Sequence, residues 1–276
     1  MPILTLTSDI GNQDFLVGAV KGQILQVNEG FSIVDITHQL TPFNYPQSAY
    51  VCRNAFRNFP EECFHMVLLN LFDSRSQHLL LARQGGHYVG IADNGLLTMI
   101  LEGEPDQVVA LPLDRNRKKG ALYFAQVFAQ AFSEVLSGRA MDRIGSPGVE
   151  IKVMNALRPM LGEDWIEGQI IFIDQFENVV VNITLEEFEE QRKGRSFRIV
   201  FKRDEVIDRI GETYADVPEG EKTAIFNSAG YLEIAINKGN AAGLFGLQGF
   251  SDRQPRAQSA YMKNHLFYKT VKVLFL

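Results

Sequence analysis

Cysteine is scarce: Cys52 and Cys63 are the only two in 276 residues. Without metal-ligand spacing they make neither a disulfide framework nor a zinc site, and such a pair suits a reducing cytoplasm. Basic residues are also in deficit. With 27 Lys and Arg against 33 Asp and Glu the net charge is −6, which argues against a nucleic-acid-binding face, because phosphate binding needs a local surplus of cations. The one short basic run, RNRKKG at 115–120, reads as a solvated loop. No apolar stretch reaches membrane length and no N-terminal h-region is present, so the sequence predicts neither membrane insertion nor secretion. The phosphate-cradling GxGxxG is missing as well, so a nucleoside bound here is not held by a diphosphate. Internal repeats and low-complexity segments are absent.

What is present is an alternation of strand and helix patterns up to about residue 157. FSIVDIT and CFHMVLLNLF read as strands, with Ala49, Cys52, Ala55, Phe56 and Phe59 at helical spacing between them. HLLLAR and HYVGIAD are two more strands, and NGLLTMIL a short helix. Over 121–138, Val127, Ala131 and Val135 form one stripe and Phe124, Phe128 and Phe132 another, with Gly138 as the stop. This predicts an α/β sandwich domain, Rossmann-like, over 1–157 with helices on both faces of a parallel or mixed sheet. Pro and Gly punctuation then marks a boundary. Beyond it, GQIIFIDQFENVVVNIT, SFRIVFKR and TAIFNSAGYLEIAIN, with NSAG as a turn, predict a compact β-barrel or sandwich domain over 166–276.

The opening LTLTSDIGNQDFLVGAVKG places Asp9 where a buried strand, Leu4 to Thr7, gives way to a helix striped by Leu16, Val20, Ile24 and Val27. In open α/β sheets ligands bind at that end of the strand, and an acid there commonly takes ribose hydroxyls. An acidic turn residue capping the helix accounts for the same pattern. His38 and His65 read as structural, neither having a partner at metal-ligand spacing.

Five ordered blocks, TSDIGNQDFLVGAVKGQILQVN, IVDITHQLTPFNYPQSAYVCRNAFRNFP, ADNGLLT, IDQFENVVVNI and NSAGYLEIAINKGNAAGLFG, resemble the S-adenosyl-L-methionine hydroxide adenosyltransferases, relatives of the fluorinases and chlorinases. The resemblance implies an N-terminal α/β domain and a C-terminal β-barrel. It also implies a homotrimer that binds S-adenosyl-L-methionine or adenosine between one subunit's first domain and its neighbour's second, with no metal or further cofactor. By that likeness Asp9 grips both ribose hydroxyls, a task suited to a carboxylate, which accepts two hydrogen bonds at once. Asp14 and Asp174 are similar to acids that approach the ribose or the methionine ammonium. Phe43 and Phe176 resemble aromatic walls, Asn178 an amide that reads the adenine edge, Ser228 a holder of the methionine end, and Asn237 a further binding position. Phe43 and Phe176 also suit a core, and Asn178 and Asn237 also suit turns.

The catalytic positions depart from the family. Its hydrolytic members surround the attacking water with an Asp ending a strand, an Arg in the following loop and a His opening a later helix. Here those positions carry Asn70, Gln77 and Tyr123, and the family's Pro-Gly-Val-Gly run is missing from the loop. Displacement at C5′ by water expels neutral methionine, but the water must lose a proton. Amides are not basic, and a Tyr pKa near ~10 leaves the phenol protonated at neutral pH. A site shifted along the loop, with Asp73 as acid or base, Arg75 as electrostatic partner and His78 nearby, is one alternative, and a solvated surface loop is another. Three functions follow in order: hydrolysis of S-adenosyl-L-methionine to adenosine and methionine, binding without catalysis, and halogenation. The fluorinase-type members also lack the triad and carry a Tyr at position 123, but Asp73 would repel a halide and Phe124 would fill its space.

Overall fold

The protein is described here by a computed structural model covering residues 1–73, 77–202, 205–247 and 269–276. The chain divides into two compact units, Met1–Ala156 and Leu157–Leu276. The first begins with β1 (Ile3–Ser8), α1 (Leu16–Val27), β2 (Ser32–Thr37), α2 (Tyr45–Phe56) and β3 (Phe64–Leu68). It continues through β4 (His78–Gln84), β5 (His87–Ala92), α3 (Leu96–Leu101) and β6 (Gln107–Pro112), and ends with α4 (Ala121–Leu136), α5 (Met141–Ile144) and β7 (Ser146–Pro147).

The strands form one mixed sheet in the order β2-β1-β3-β5-β4-β6-β7. Neighbours from β2 to β5 run parallel and the remaining pairs are antiparallel. Both faces are covered, as the period-2 alternation of the buried strands requires. Phe64, Met66 and Leu68 of β3 join Leu79 and Leu81 of β4 in a core with α1 and α4, whereas Val67, Leu80 and Ala82 face α2 and α3. Of the two stripes on α4, Phe124, Phe128 and Phe132 are the fully buried one. Gly90 of β5 makes their approach possible: a Cβ there would lie 2.6 Å from Phe128 and 2.8 Å from Phe132. β6 is not among the strands predicted from sequence. QVVALP is a short run between Pro105 and a terminal Pro112, and it is ordered by pairing along the length of β4.

The second unit contains β8 (Met160–Leu161), β9 (Trp165–Ile173), β10 (Val179–Thr184), α6 (Leu185–Arg192), β11 (Phe197–Lys202), β12 (Glu205–Ile207), β13 (Lys222–Phe226), β14 (Tyr231–Ile236) and β15 (Thr270–Phe275). Its sheet runs β12-β11-β15-β9-β10-β14-β13, with β8 beside β9. The two ends of that path approach each other, and Gly211 N–H donates to Ala224 O at 2.8 Å just beyond β12, giving a nearly closed barrel. α6 starts at a capping box, Thr184 with Glu187. It buries Phe188 against Phe197, Phe226 and Phe275, with ring centroids 5.1, 5.3 and 5.8 Å away.

Candidate functional site

In the first unit α1 leaves β1 toward one neighbour and β3 lies on the other side, so the strand order reverses between β1 and β3. A crevice opens at such a switch point, outside the carboxyl ends of the strands. Asp9 follows β1 there and Asn70 follows β3. They are directly connected: the Asn70 N–H donates to Asp9 Oδ2 at 3.0 Å. Burial pushes the Asp9 carboxyl above the ordinary carboxylate range, more than that hydrogen bond draws it down. Among the described residues no ion pair neutralises it.

Asn70 is buried and holds a left-handed backbone, φ 48°. Its Oδ1 accepts the Phe43 N–H at 2.7 Å, and Phe43 is itself left-handed, φ 61°. The Asn70 Nδ2 is buried, with no hydrogen-bond partner of good geometry among the described residues; the Asn70 amide draws the pKa of the nearby Tyr45 phenol down, by less than burial raises it. The Tyr45 O–H donates to Asp73 Oδ2 at 3.2 Å, and burial, then the Asp73 charge, pushes its pKa up to about 12. Asn94, after β5, donates from Nδ2 to Leu69 O at 3.0 Å, fixing the end of β3.

Asp14 does what the sequence offered for Asp9. Its Oδ1 accepts the Leu16 N–H at the start of α1, at 2.8 Å. The ring of Phe43 is 48% exposed, so it is not a core residue.

In the second unit, Asp174 organises the β9–β10 connection. Its Oδ1 accepts from Phe176 N and Asn178 N at 2.9 and 2.8 Å, and its Oδ2 from Asn178 Nδ2 at 3.0 Å. Phe176 is thereby left standing out of the turn, 75% exposed, while Asn178 is buried. Ser228 is exposed on the turn between β13 and β14. That turn is shaped by Asn227, whose Oδ1 accepts from Ala229 N and Tyr231 N and whose Nδ2 donates to the buried Glu233. The Asn237 Nδ2 donates to Val217 O at 2.7 Å.

Comparison with known proteins decides the relationship. The sequence models of the SAM hydroxide adenosyltransferase N-terminal and C-terminal domains match residues 4–145 and 168–253. The chain belongs to the SAM hydroxide adenosyltransferase family. It is 27% identical to the (R)-S-adenosyl-L-methionine hydrolase of Methanocaldococcus jannaschii, over 88% of this chain and 92% of that protein. Identity to the hydrolase of the same name from Thermus thermophilus is also 27%, over 87% and 94%. The Fluorinase of Actinopolyspora mzabensis is 23% identical over 93% and 98%. The fold is shared with a conserved protein from Thermotoga maritima, TM-score 0.80 at 20% identity, covering 98% of this chain and 99% of that one.

Within this member of the family, the residues at the three positions that the resemblance sets against the triad are not equivalent. Asn70 sits beside Asp9, as described. The Tyr123 hydroxyl instead accepts the Asp114 N–H at 2.7 Å, and the Arg117 guanidinium lies 4.4 Å from its ring centroid. Gln77 is exposed. Of the shifted-site candidates, Asp73 is tied to Tyr45, and His78 Nε2 lies 3.2 Å from Asp93 Oδ2, whose other oxygen holds Lys152 N–H. Arg75 lies outside the described residues. Phe124 is 1% exposed in the core and its ring centroid is 6.0 Å from that of Phe72. His38 lies between Ser8 Oγ at 2.7 Å and Asp35 Oδ1 at 3.2 Å, and His65 between Thr5 Oγ1 at 2.7 Å and His87 Nδ1 at 3.1 Å.

Tyr45 and Asn94 escaped the sequence reading. Asn94 stands in the block ADNGLLT, which was one signal for it. Tyr45 opens α2 just after the Asn44 cap and has no motif of its own.

Proposed function

We propose that this chain binds S-adenosyl-L-methionine and adenosine, and that it hydrolyses the former only slowly. The observation that carries the reading is Asp9: a half-buried carboxylate at the switch point, raised in pKa by burial and lacking a cationic partner among the described residues. An acid so placed is stabilised by hydroxyl donors from a ligand, and a ribose diol supplies two. Phe43, exposed beside it, supports an aromatic wall; Phe176 and Asn178 support adenine recognition, and Ser228 and Asn237 contacts to the rest of the ligand. Asp14 and Asp174 serve mainly by shaping the loops.

The neutral trio limits the chemistry. Asn70 cannot accept a proton from water, Gln77 brings no charge, and the Tyr123 hydroxyl is committed to Asp114. Binding without turnover is the second reading, and the same observation favours it. Halogenation is opposed by Phe124 and by the Asp73 carboxylate near the loop. The assembly we propose is a cytoplasmic homotrimer with no metal, each site formed between one subunit's first unit and its neighbour's second.

Three measurements test this. The purified protein is incubated with S-adenosyl-L-methionine and adenosine is sought by chromatography, while calorimetry measures binding of both ligands. Light scattering reports the assembly. A monomer at micromolar concentration counts against the shared site, and failure to bind either ligand removes the assignment.

A further inference from the structure

His38 holds the chain on both sides of Asp9. Its carbonyl oxygen accepts the Gly11 N–H at 2.7 Å, and its ring Nδ1 lies 2.7 Å from Ser8 Oγ. These contacts begin where the β1–β2 ladder stops: the parallel pairing slips after Leu6, and its last pair is Thr7 with Thr37. On the other side Ser8 still pairs with Leu68 of β3, and Asp9 accepts the Asn70 N–H. The two nitrogens of the ring are not equally engaged. Nε2 faces Asp35 Oδ1 at 3.2 Å but is poorly aligned for a hydrogen bond, and Asp35 is also paired with Lys21. A carboxylate on that side favours the tautomer protonated at Nε2, which leaves Nδ1 to accept the Ser8 O–H. Ser8 and His38 are both buried, where a lost hydrogen bond is not replaced by water.

We infer that His38 is a positioning residue for the nucleoside site: through Ser8 it holds Asp9 where the carboxylate meets a ribose, without touching the ligand. A carboxylate that receives two hydroxyls tolerates little displacement, because both bonds depend on distance and direction. The β3 side fixes Asp9 through backbone groups. The β2 side has His38 instead, and its ring is the only part of that hold a substitution can remove while the Gly11 bond to the carbonyl stays. The role calls for an acceptor atom on Cγ. Asn supplies one, since its carboxamide oxygen hangs from Cγ as Nδ1 does, whereas Leu fills similar space and supplies none.

This inference rests on the nucleoside reading of Asp9, and the experiment separates the two. Calorimetry with adenosine is run on wild type, Ser8→Ala, His38→Leu and His38→Asn, and on Ser8→Ala combined with Asp9→Asn. Ser8→Ala removes a single oxygen atom and keeps the test open should His38→Leu fail to fold. The expected result is roughly tenfold weaker binding by Ser8→Ala and His38→Leu, the scale of one buried hydrogen bond, with His38→Asn restored toward wild type. In the Asp9→Asn background Ser8→Ala should cost little more, since substitutions that act through one group are not additive. Wild-type affinity in Ser8→Ala overturns the inference and leaves the nucleoside site standing, and so does an undiminished loss in the Asp9→Asn background. No binding of adenosine by wild type overturns the nucleoside reading and this inference with it.

Discussion

Replacing Asp9 with Asn should separate stability from affinity. In the folded protein Asp9 Oδ2 accepts the Asn70 N–H at 3.0 Å. The new carboxamide has one oxygen, which that N–H will claim, turning its NH₂ toward the ligand. A ribose diol then loses one charge-assisted bond outright and keeps at best a strained second. At about 1.5–3 kcal/mol for a hydrogen bond to a charged group, the net loss is about 2–3 kcal/mol, or roughly 30–150-fold in Kd. Stability should move the other way. Burial raises the Asp9 pKa in the folded state, so the folded protein binds that proton more tightly than the unfolded chain does. Above the raised pKa the charged carboxylate therefore counts against folding. The amide removes that charge, so Asp9→Asn should melt at neutral pH no lower than wild type. For the same reason, ligand affinity of wild type should fall as the pH is lowered through the raised Asp9 pKa, and Asp9→Asn should lack that dependence. Calorimetry gives Kd and differential scanning fluorimetry gives Tm. A variant that binds adenosine normally but melts well below wild type would show Asp9 to be a structural turn residue, and would refute the argument.

Placing the family's triad residues at the three positions that the resemblance sets against them, with Asn70→Asp, Gln77→Arg and Tyr123→His, should raise the rate of adenosine release, measured by chromatography. General-base help is worth roughly 10²–10⁴-fold, and no gain would mean the altered loop holds the site elsewhere. Gly90→Ala sets a methyl group 2.6 Å from Phe128 and 2.8 Å from Phe132; a loss of about 1–3 kcal/mol in urea unfolding is expected from overpacking, and an unchanged midpoint would show that α4 can move aside. Burial, then the neighbouring His87, lowers the His65 pKa to about 3. The unfolded chain therefore takes up the proton first, and stability should fall as pH drops from about 6.5 toward 3, by at most about 1.4 kcal/mol per pH unit from this group. A denaturation series over that range on wild type and His65→Gln should show a shallower slope in the variant.

The sequence made the switch-point unit legible because its signals are local. Leu4 and Leu6 alternate with buried threonines in a strand, Gly11 supplies a turn at φ 78°, and the α1 stripe follows. α4 was legible from its Phe spacing and Gly138. β6 and β15 were not, because each is a short run whose strand state depends on partners distant in sequence, β4 for one and β9 with β11 for the other. In the site the sequence could place Asp9 at a strand end without deciding its partner. The bond to Asn70 spans 61 residues and exists only because β1 and β3 are neighbours. Helix capping, an alternative for Asp9, falls instead to Asp14, five residues on, where the distance to Leu16 N–H is set by the local chain.

On the function proposed above, position 70 bears on how a ligand site could outlast its chemistry. The side chain there has two tasks that differ in what they demand. Holding Phe43 requires an acceptor oxygen, which Asn and Asp both supply. Taking a proton from water requires a second oxygen, which only Asp has. A change from Asp to Asn would thus keep the bond to the Phe43 N–H and the backbone donor to Asp9, while removing a buried negative charge. On the proposed reading, substitution at this one position would therefore leave the Asp9 and Phe43 geometry intact and withdraw the group that would activate a nucleophile.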